Sequence, residues 1–179
     1  MTDSEQNKLN DHRIQKLDAL FNPESIAFIG ATDDANKWGF IICNSVLRGG
    51  WQGRLYPVNP GRDKILDLPA YPTVVDVPDE VDLAIITVPA KHIPQVIDNC
   101  VKKKVKTGLI ITAGFKEMGG EQEQVEAQIV AKAREGGMVL IGPNCQGICC
   151  PSSRLYPHMP SHFYPPPGNV AVVSQSGNI

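Results

Sequence analysis

The sequence predicts an α/β fold in which a mainly parallel β-sheet is doubly wound, with helices on both of its faces. Two observations lead to this class. Short apolar runs alternate along the chain with segments of helical periodicity. The apolar runs are also nearly continuous, which is typical of strands buried on both sides in a parallel sheet. Right-handed crossovers make such a sheet doubly wound, and ligands of doubly wound sheets bind at the carboxyl ends of the strands.

Each element follows from its own pattern. The polar lead-in, residues 1–24, carries Leu17, Leu20 and Phe21 at helical spacing, which indicates a short helix that packs onto the domain. Apolar runs predict strands at residues 25–30, 54–59, 73–75, 82–88, 107–112, 138–141 and 169–173. Amphipathic or acid-headed segments predict helices at residues 39–47, 93–101 and 121–135. Pro94 suits the first turn of the second of these, where no helical donor is lost.

Composition argues against several classes of function. The formal net charge is −2, so the chain has no basic surplus with which to bind nucleic acid or an anionic membrane. No apolar run reaches the ~18–20 residues of a membrane span, and the polar start is unlike a signal peptide. The five cysteines are odd in number and lack the paired spacing of a zinc site. We therefore expect reduced thiols, a cytoplasmic protein and no bound metal.

The first turn from strand to helix is the first candidate binding loop. It runs from Gly30 through Ala31, Thr32 and Lys37 to Gly39. Backbone donors at a helix start suit an anion, and glycines let a phosphate approach closely. The spacing is not that of the G-x-G-x-x-G dinucleotide motif. An ordinary turn with helix-capping polar residues therefore stays open as the alternative.

The end of the second strand tells more about the ligand. NAD enzymes usually carry Asp or Glu there to bind the ribose hydroxyls. This strand ends instead in Asn59 and Pro60, and the cations Arg62 and Lys64 follow. Such a tip suits a ligand with a phosphate on its ribose, either NADP or coenzyme A (CoA), because Arg62 can bind phosphate through two donors. The alternative is a solvated Pro-Gly turn.

Small residues follow two further strands and leave room for a thin ligand. They are Pro89 and Ala90 after one strand, and Thr112, Ala113 and Gly114 after the next. A pantetheine arm would fit across them, and so would a nicotinamide.

Beyond the next strand, Asn144 can orient a ligand or the loop itself. We interpret Cys145 beside it as a structural or channel residue and not as a nucleophile. The Pro-rich segment 151–168 is interpreted as a covering loop whose His158 and His162 are solvated.

The chain also carries a second candidate phosphate turn. Ser174, Ser176 and Gly177 directly follow the strand predicted at residues 169–173, and hydroxyls and glycine at that position form a phosphate-binding turn when a helix follows. We therefore expect a polar lead-in at residues 1–24, a ligand-binding domain at residues 25–168, and the start of a second, flavodoxin-like domain at residues 169–179.

Seven pieces in register carry a family resemblance: FNPESIAFIGAT, Lys37 with Gly39, YPVNP, DLAIITVPA, IITAGF, IGPNCQG and VAVVSQSG. Together they resemble the CoA-binding, Rossmann-like domain of the succinyl-CoA synthetase α-subunit and, more closely, of the ADP-forming acetyl-CoA synthetase family. The resemblance implies that the Gly30–Gly39 loop holds CoA phosphates and that Arg62 lies against CoA. It implies that residues 89–90 and 112–114 line the CoA path, and that Asn144 lies near the thiol.

The same resemblance implies an activity for a longer protein. In that family an acyl-CoA and phosphate give an acyl phosphate, whose phosphoryl group passes to a histidine and then to ADP under an ATP-grasp domain with Mg²⁺. No residue of this chain matches that histidine, so we assign no catalytic residue. Ala113, Phe115 and the Cys149-Cys150 pair depart from the succinyl-specific pattern and leave the acyl group open. The oligomeric state also stays open, and a homo-oligomer is one option.

Two other hypotheses stay open on the sequence. One is a non-catalytic CoA-binding module that is regulatory or fused to a lysine acetyltransferase domain. The other is an NAD(P)-sensing domain, against which the missing acidic residue after the second strand counts.

Overall fold

The computed structural model describes residue 14 and residues 16–175. The strands in this part of the chain are β1 (Ser25–Ile29), β2 (Arg54–Val58), β3 (Lys64–Ile65), β4 (Leu68–Pro69), β5 (Leu83–Ile86), β6 (Thr107–Ile110) and β7 (Val139–Ile141). Five of them form a parallel sheet at the centre of the molecule, in the spatial order β2–β1–β5–β6–β7. The doubly wound parallel sheet predicted from the sequence is thereby confirmed.

Three helices cover the two faces of the sheet: α1 (Trp38–Arg48), α2 (Ile93–Lys103) and α3 (Glu121–Glu135). Helix α1 packs on one face, where Ile42 and Val46 join a core cluster with Phe28. Helices α2 and α3 pack on the other face, where Ile97 and Ile129 belong to a second cluster. Alternate residues of β1 belong to opposite clusters, so both faces of the sheet are buried in a hydrophobic core.

The lead-in helix is present, but its contacts differ from the prediction. Residues 16–21 are helical, and Ala19 and Leu20 are the buried side chains, whereas Leu17 and Phe21 are partly exposed. Only one of the three apolar residues predicted to pack on the domain is therefore buried. The small side chain of Ala19 lets this helix lie close to β6, where Thr107 donates to the Ala19 carbonyl.

The strand predicted at residues 73–75 is wrong. A 3₁₀-helix, Val74–Asp76, occupies this position. The Thr73 hydroxyl accepts from the Val75 N–H at 3.2 Å, and the Asp76 carboxylate accepts from the Thr73 N–H at 3.0 Å. This reciprocal capping stabilises a helical turn despite the β-branched residues.

A short hairpin that the sequence did not predict follows β2. It consists of β3 and β4, which pair antiparallel and form a sheet of their own. Two-residue strands show no usable periodicity, so they are invisible to pattern analysis.

The strand predicted at residues 169–173 is also absent: the described residues 169–175 have no regular structure. Val170, Val172 and Val173 are 88%, 76% and 98% exposed, because no strand in the described part of the chain pairs with them. Apolar residues form a strand only where a neighbouring strand and a core receive them.

The Pro-rich segment 151–168 folds back onto α1. Leu155 and Tyr156 are buried, and the Ser45 hydroxyl donates to the Tyr164 oxygen at 3.4 Å. His158 is only 5% exposed, so the interpretation of a solvated histidine is wrong for this residue. Its ring lies beside Tyr156 and Phe163, and this apolar contact accounts for the burial.

Candidate functional site

A crevice of about 740 Å³ opens at the carboxyl ends of β1, β2 and β5. The strand order reverses between β1 and β5, and this switch point is where ligands of doubly wound sheets bind. One wall comes from the loop between β1 and α1, the floor from the strand tips, and the other wall from α2. Topology thus places the cavity where the sequence predicted the ligand.

Two glycines set the geometry of the first loop. Gly30 has φ +97°, a left-handed conformation that favours glycine, and a Cβ there would lie 2.7 Å from the Thr87 hydroxyl. A Cβ on Gly39 would lie only 2.1 Å from the Gly30 carbonyl oxygen. The start of α1 therefore rests directly against the end of β1, and backbone borders the crevice where a side chain would otherwise fill it.

The first turn of α1 faces the crevice without a side-chain cap. Lys37 is the N-cap residue and makes no capping hydrogen bond, and Lys37, Trp38 and Gly39 all line the cavity. The uncapped donors and the helix dipole favour an anion at this position. The loop therefore presents backbone donors and a lysine to the crevice.

Hydrogen bonds and an ion pair within this loop fix its conformation. Asp34 accepts from the Asn36 N–H at 3.1 Å, and the Lys37 ammonium lies 3.5 Å from the Asp34 carboxylate. The Asn36 N–H, and after it Lys37, hold the pKa of Asp34 below its ordinary value. The Thr32 hydroxyl accepts from the Asp34 N–H at 3.2 Å and can still donate its own proton to a ligand. Lys37 is 67% exposed and can turn from Asp34 to a bound anion.

Asn59 joins the tip of β2 to the first loop. Its amide nitrogen donates to the Ala31 carbonyl at 2.9 Å, and its side-chain oxygen accepts from the Gly61 N–H at 2.9 Å. Asp33 makes a parallel connection, since its carboxylate accepts from the Leu66 N–H of the hairpin at 2.8 Å. A neutral amide thus stands where a dinucleotide enzyme usually carries a ribose-binding carboxylate.

A second cavity of about 620 Å³ lies beside the first, at the ends of β5, β6 and β7. The Thr112 hydroxyl donates to the Val88 carbonyl at 2.7 Å, and the Asn144 N–H donates to the Thr112 carbonyl at 2.9 Å. Cys145 also lines this cavity, and its thiol lies 3.3 Å from the Ile110 carbonyl as a donor. Burial raises the pKa of the Cys145 thiol, so the group is neutral at physiological pH and is a poor nucleophile.

The two cavities have part of their lining in common. Trp38, Thr87, Val88 and Pro89 border both of them. The site is therefore one elongated depression, and it crosses the carboxyl edge of the sheet from β2 to β7.

Most of the predicted site residues come together in this depression. The residues that line it are Gly30, Thr32, Lys37, Gly39, Asn59, Pro60, Pro89, Thr112, Ala113 and Asn144. Four others line neither cavity: Ala31 is buried, Arg62 lies on an exposed turn after β2, and Ala90 and Gly114 lie beside the path. Ser174 is exposed, while Ser176 and Gly177 lie outside the described residues.

Sequence reasoning missed one wall of the crevice. This wall is lined by His92, just before α2, and by three residues of its first two turns, Gln95, Val96 and Asn99. The Gln95 amide donates to the Asn99 side chain at 3.3 Å. The signal was the set of polar residues on α2, which sequence alone does not distinguish from a solvated face. Trp38 was missed as well.

The described residues contain neither a metal-binding cluster nor a membrane-spanning helix. No three His, Cys, Asp or Glu side chains among them cluster as a metal ion would require. No helix in the part of the chain that the structure describes is long and apolar enough to cross a bilayer.

Taken together, an open parallel sheet, a switch-point crevice and a glycine-flanked, uncapped helix start define a nucleotide-binding domain of the doubly wound class. The model of the CoA binding domain family matches residues 24–151. The chain belongs to this family.

Curated relatives include two archaeal ligases. The chain is 38% identical over 167 residues to the ADP-forming acetate–CoA ligase II of Archaeoglobus fulgidus, and the match covers 93% of this chain and 25% of that protein. It is 42% identical over 168 residues to the α-subunit of ADP-forming acetate–CoA ligase I of Pyrococcus furiosus, and that match covers 90% of this chain and 36% of the subunit. The chain therefore spans only about a quarter to a third of the relatives that it matches.

A solved structure agrees with this assignment. The dinucleotide-forming acetyl-coenzyme A synthetase 1 of Ca. Korarchaeum cryptofilum, in complex with phosphate and ADP, superposes with a TM-score of 0.75 at 43% identity. The match covers 79% of this chain and 30% of that one.

Proposed function

We propose that this chain binds CoA and acyl-CoA as the N-terminal domain of an ADP-forming acyl-CoA synthetase. The observation that carries the proposal is the elongated depression across the sheet edge, with the uncapped start of α1 where the two cavities meet and small side chains in the second cavity. CoA has that shape and that distribution of charge. The relatives named above, which are ADP-forming ligases of acetate and CoA, support the same assignment.

The ligand is assigned to the site by its chemistry. The CoA pyrophosphate lies at the α1 N-terminus, where Lys37 and Thr32 meet uncapped backbone donors. The ribose end lies at the tip of β2, so that Arg62 on the following turn can reach the 3′-phosphate. The pantetheine arm passes Pro89 into the second cavity, and the thiol ends near Asn144.

The chain's own contribution to the reaction is binding and positioning. Its residues hold CoA so that the thiol, or the acyl thioester, is presented at the open end of the second cavity. We assign the phosphohistidine and the ATP-grasp module with its Mg²⁺ to other parts of a longer protein or to a partner subunit. We further propose that residues 169–179, with Ser174, Ser176 and Gly177, begin the next domain, and that the protein is cytoplasmic.

Isothermal titration calorimetry of the 179-residue chain tests the proposal. We expect CoA to bind and dephospho-CoA to bind at least about tenfold more weakly, since one charge-assisted contact contributes ~1.5–3 kcal/mol. NADH and NADPH should not bind. Lys37→Ala should weaken CoA and dephospho-CoA alike, because the pyrophosphate is common to both. Arg62→Ala should remove the difference between the two ligands.

Lys132→Ala is the matched control, since Lys132 is a 52%-exposed cation on α3 that lines neither cavity. Its CoA affinity should equal that of the wild type. Preferential binding of a nicotinamide dinucleotide would refute the assignment. Unchanged CoA affinity in both Lys37→Ala and Arg62→Ala would remove the roles given to these two cations.

A further inference from the structure

The two cavities meet at four residues that line both of them, and we call this place the neck: Trp38, Thr87, Val88 and Pro89. Trp38 stands on the α1 side, and the tip of β5 forms the other side. A ligand that fills both cavities passes along the neck, whereas a short nucleotide stays within the first cavity. The two kinds of ligand therefore differ in their contacts with the neck residues.

Both sides of the neck are held in fixed positions. Trp38 is the first residue of α1, and the next residue, Gly39, rests against the Gly30 carbonyl. On the opposite side, the Val88 carbonyl accepts from the Thr112 hydroxyl at 2.7 Å. The backbone on both sides of the neck is thus held by packing and hydrogen bonding, so the start of α1 stays close to the strand tips.

The Trp38 side chain is 49% exposed although the chain has a large core available. A half-exposed indole at the joint of two cavities offers a rigid apolar surface that a ligand can cover. Within CoA, the segment that links the pyrophosphate to the thiol is the pantetheine arm. This arm is thin and is made of methylenes and amides, the kind of group that packs on an aromatic face.

We propose that Trp38 is the pantetheine-contacting residue of this domain, and that it makes the site selective for ligands bearing that arm over the adenosine nucleotide alone. The inference rests on the proposed function. Trp38 is a binding and specificity residue here, and it takes no part in bond making.

Calorimetry with paired ligands tests this role. Adenosine 3′,5′-bisphosphate occupies the first cavity only, whereas CoA extends through the neck. Trp38→Ala should weaken CoA about tenfold, or ~1.4 kcal/mol, and leave adenosine 3′,5′-bisphosphate unchanged. Trp38→Phe, which keeps an aromatic face, should restore most of the loss. Leu47→Ala is the matched control: Leu47 is a 40%-exposed apolar residue on the same helix and lies outside both cavities.

A second measurement follows the indole directly. The chain has two tryptophans, and Trp51 lies elsewhere, with its indole N–H donating to the Pro23 carbonyl at 3.2 Å. Trp51→Phe therefore leaves Trp38 as the sole tryptophan emitter. CoA should protect its fluorescence from acrylamide quenching, and adenosine 3′,5′-bisphosphate should not.

The outcomes separate the two proposals. If the wild-type chain binds neither CoA nor adenosine 3′,5′-bisphosphate, the proposed function fails and the role of Trp38 fails with it. If both ligands bind, the role of Trp38 alone is overturned by either of two results: equal losses for the two ligands in Trp38→Ala, or no loss for CoA.

Discussion

Replacing Gly39 by alanine probes the contact that positions the loop between β1 and α1. The added Cβ would lie 2.1 Å from the Gly30 carbonyl oxygen and 3.3 Å from the Thr32 methyl group. An ordinary contact begins near 3.4 Å. The start of α1 must therefore move away from β1 by roughly an ångström, because the obstructing atom is backbone and cannot rotate aside.

Gly39→Ala should lower both the stability of the chain and its affinity for CoA. Overpacking of this kind costs about 1–3 kcal/mol, which corresponds to a fall in Tm of about 2–12 °C for a chain of this length. The displaced helix start also carries the donors that face the crevice, so CoA affinity should fall by at least about tenfold. Thermal unfolding by circular dichroism measures the first quantity, and calorimetry with CoA measures the second.

Gly168→Ala is the control, because a Cβ there would meet nothing within 4 Å and the backbone has no positive φ. It should leave Tm and affinity unchanged or raise Tm slightly through the unfolded state. If Gly39→Ala has a wild-type Tm and wild-type CoA affinity, then the helix start does not rest on Gly30 as described.

Two further predictions concern stability and pH. Asp82 accepts from the Glu24 N–H at 2.8 Å and lies 2.7 Å from the Lys106 ammonium; burial raises its pKa, but these partners outweigh burial and hold the pKa below the ordinary value. Asp82→Asn should therefore cost about 2 kcal/mol in denaturant unfolding at pH 7 and should remove the part of the stability that the wild type loses as pH falls below about 4. Burial lowers the pKa of His158. Its Nε2 lies 3.0 Å from the Phe163 carbonyl oxygen, and its Nδ1 has no hydrogen-bond partner among the described residues. Protonation thus favours the unfolded chain, so stability should decline as pH falls below about 6.5, and a His158→Gln variant whose pH profile matched the wild type would contradict this reasoning.

The central architecture was accessible from the sequence because it depends on periodicity. Continuous apolar runs identified the five parallel strands, and the bounds predicted for α3 agree with those observed. The two wrongly predicted strands have different causes, one local and one tertiary. The run at residues 73–75 has β-branched residues, yet Asp76 supplies the second half of a capping box. The run at residues 169–173 has strand character but finds no partner strand among the described residues.

The candidate site could be predicted from the sequence in part. Loops that follow parallel strands gather at one sheet edge, so the strand pattern alone places the glycine loop and Asn144 together. The α2 wall could not be predicted in this way, because Gln95 and Asn99 look like any polar helix face in a sequence. Trp38 also gave no signal, since which side of a helix start faces a cavity depends on the crossing of α1 over the sheet.

The amide of Asn59 has a consequence for attempts to change which cofactor the domain accepts. A designer who wished to introduce a nicotinamide dinucleotide would place a carboxylate at this position. An Asp there would set an anionic oxygen against the Ala31 carbonyl, where the Asn59 nitrogen now donates at 2.9 Å. Because the Asn59 side chain also connects two loops, introducing a carboxylate at this position would require redesign of the loops around it.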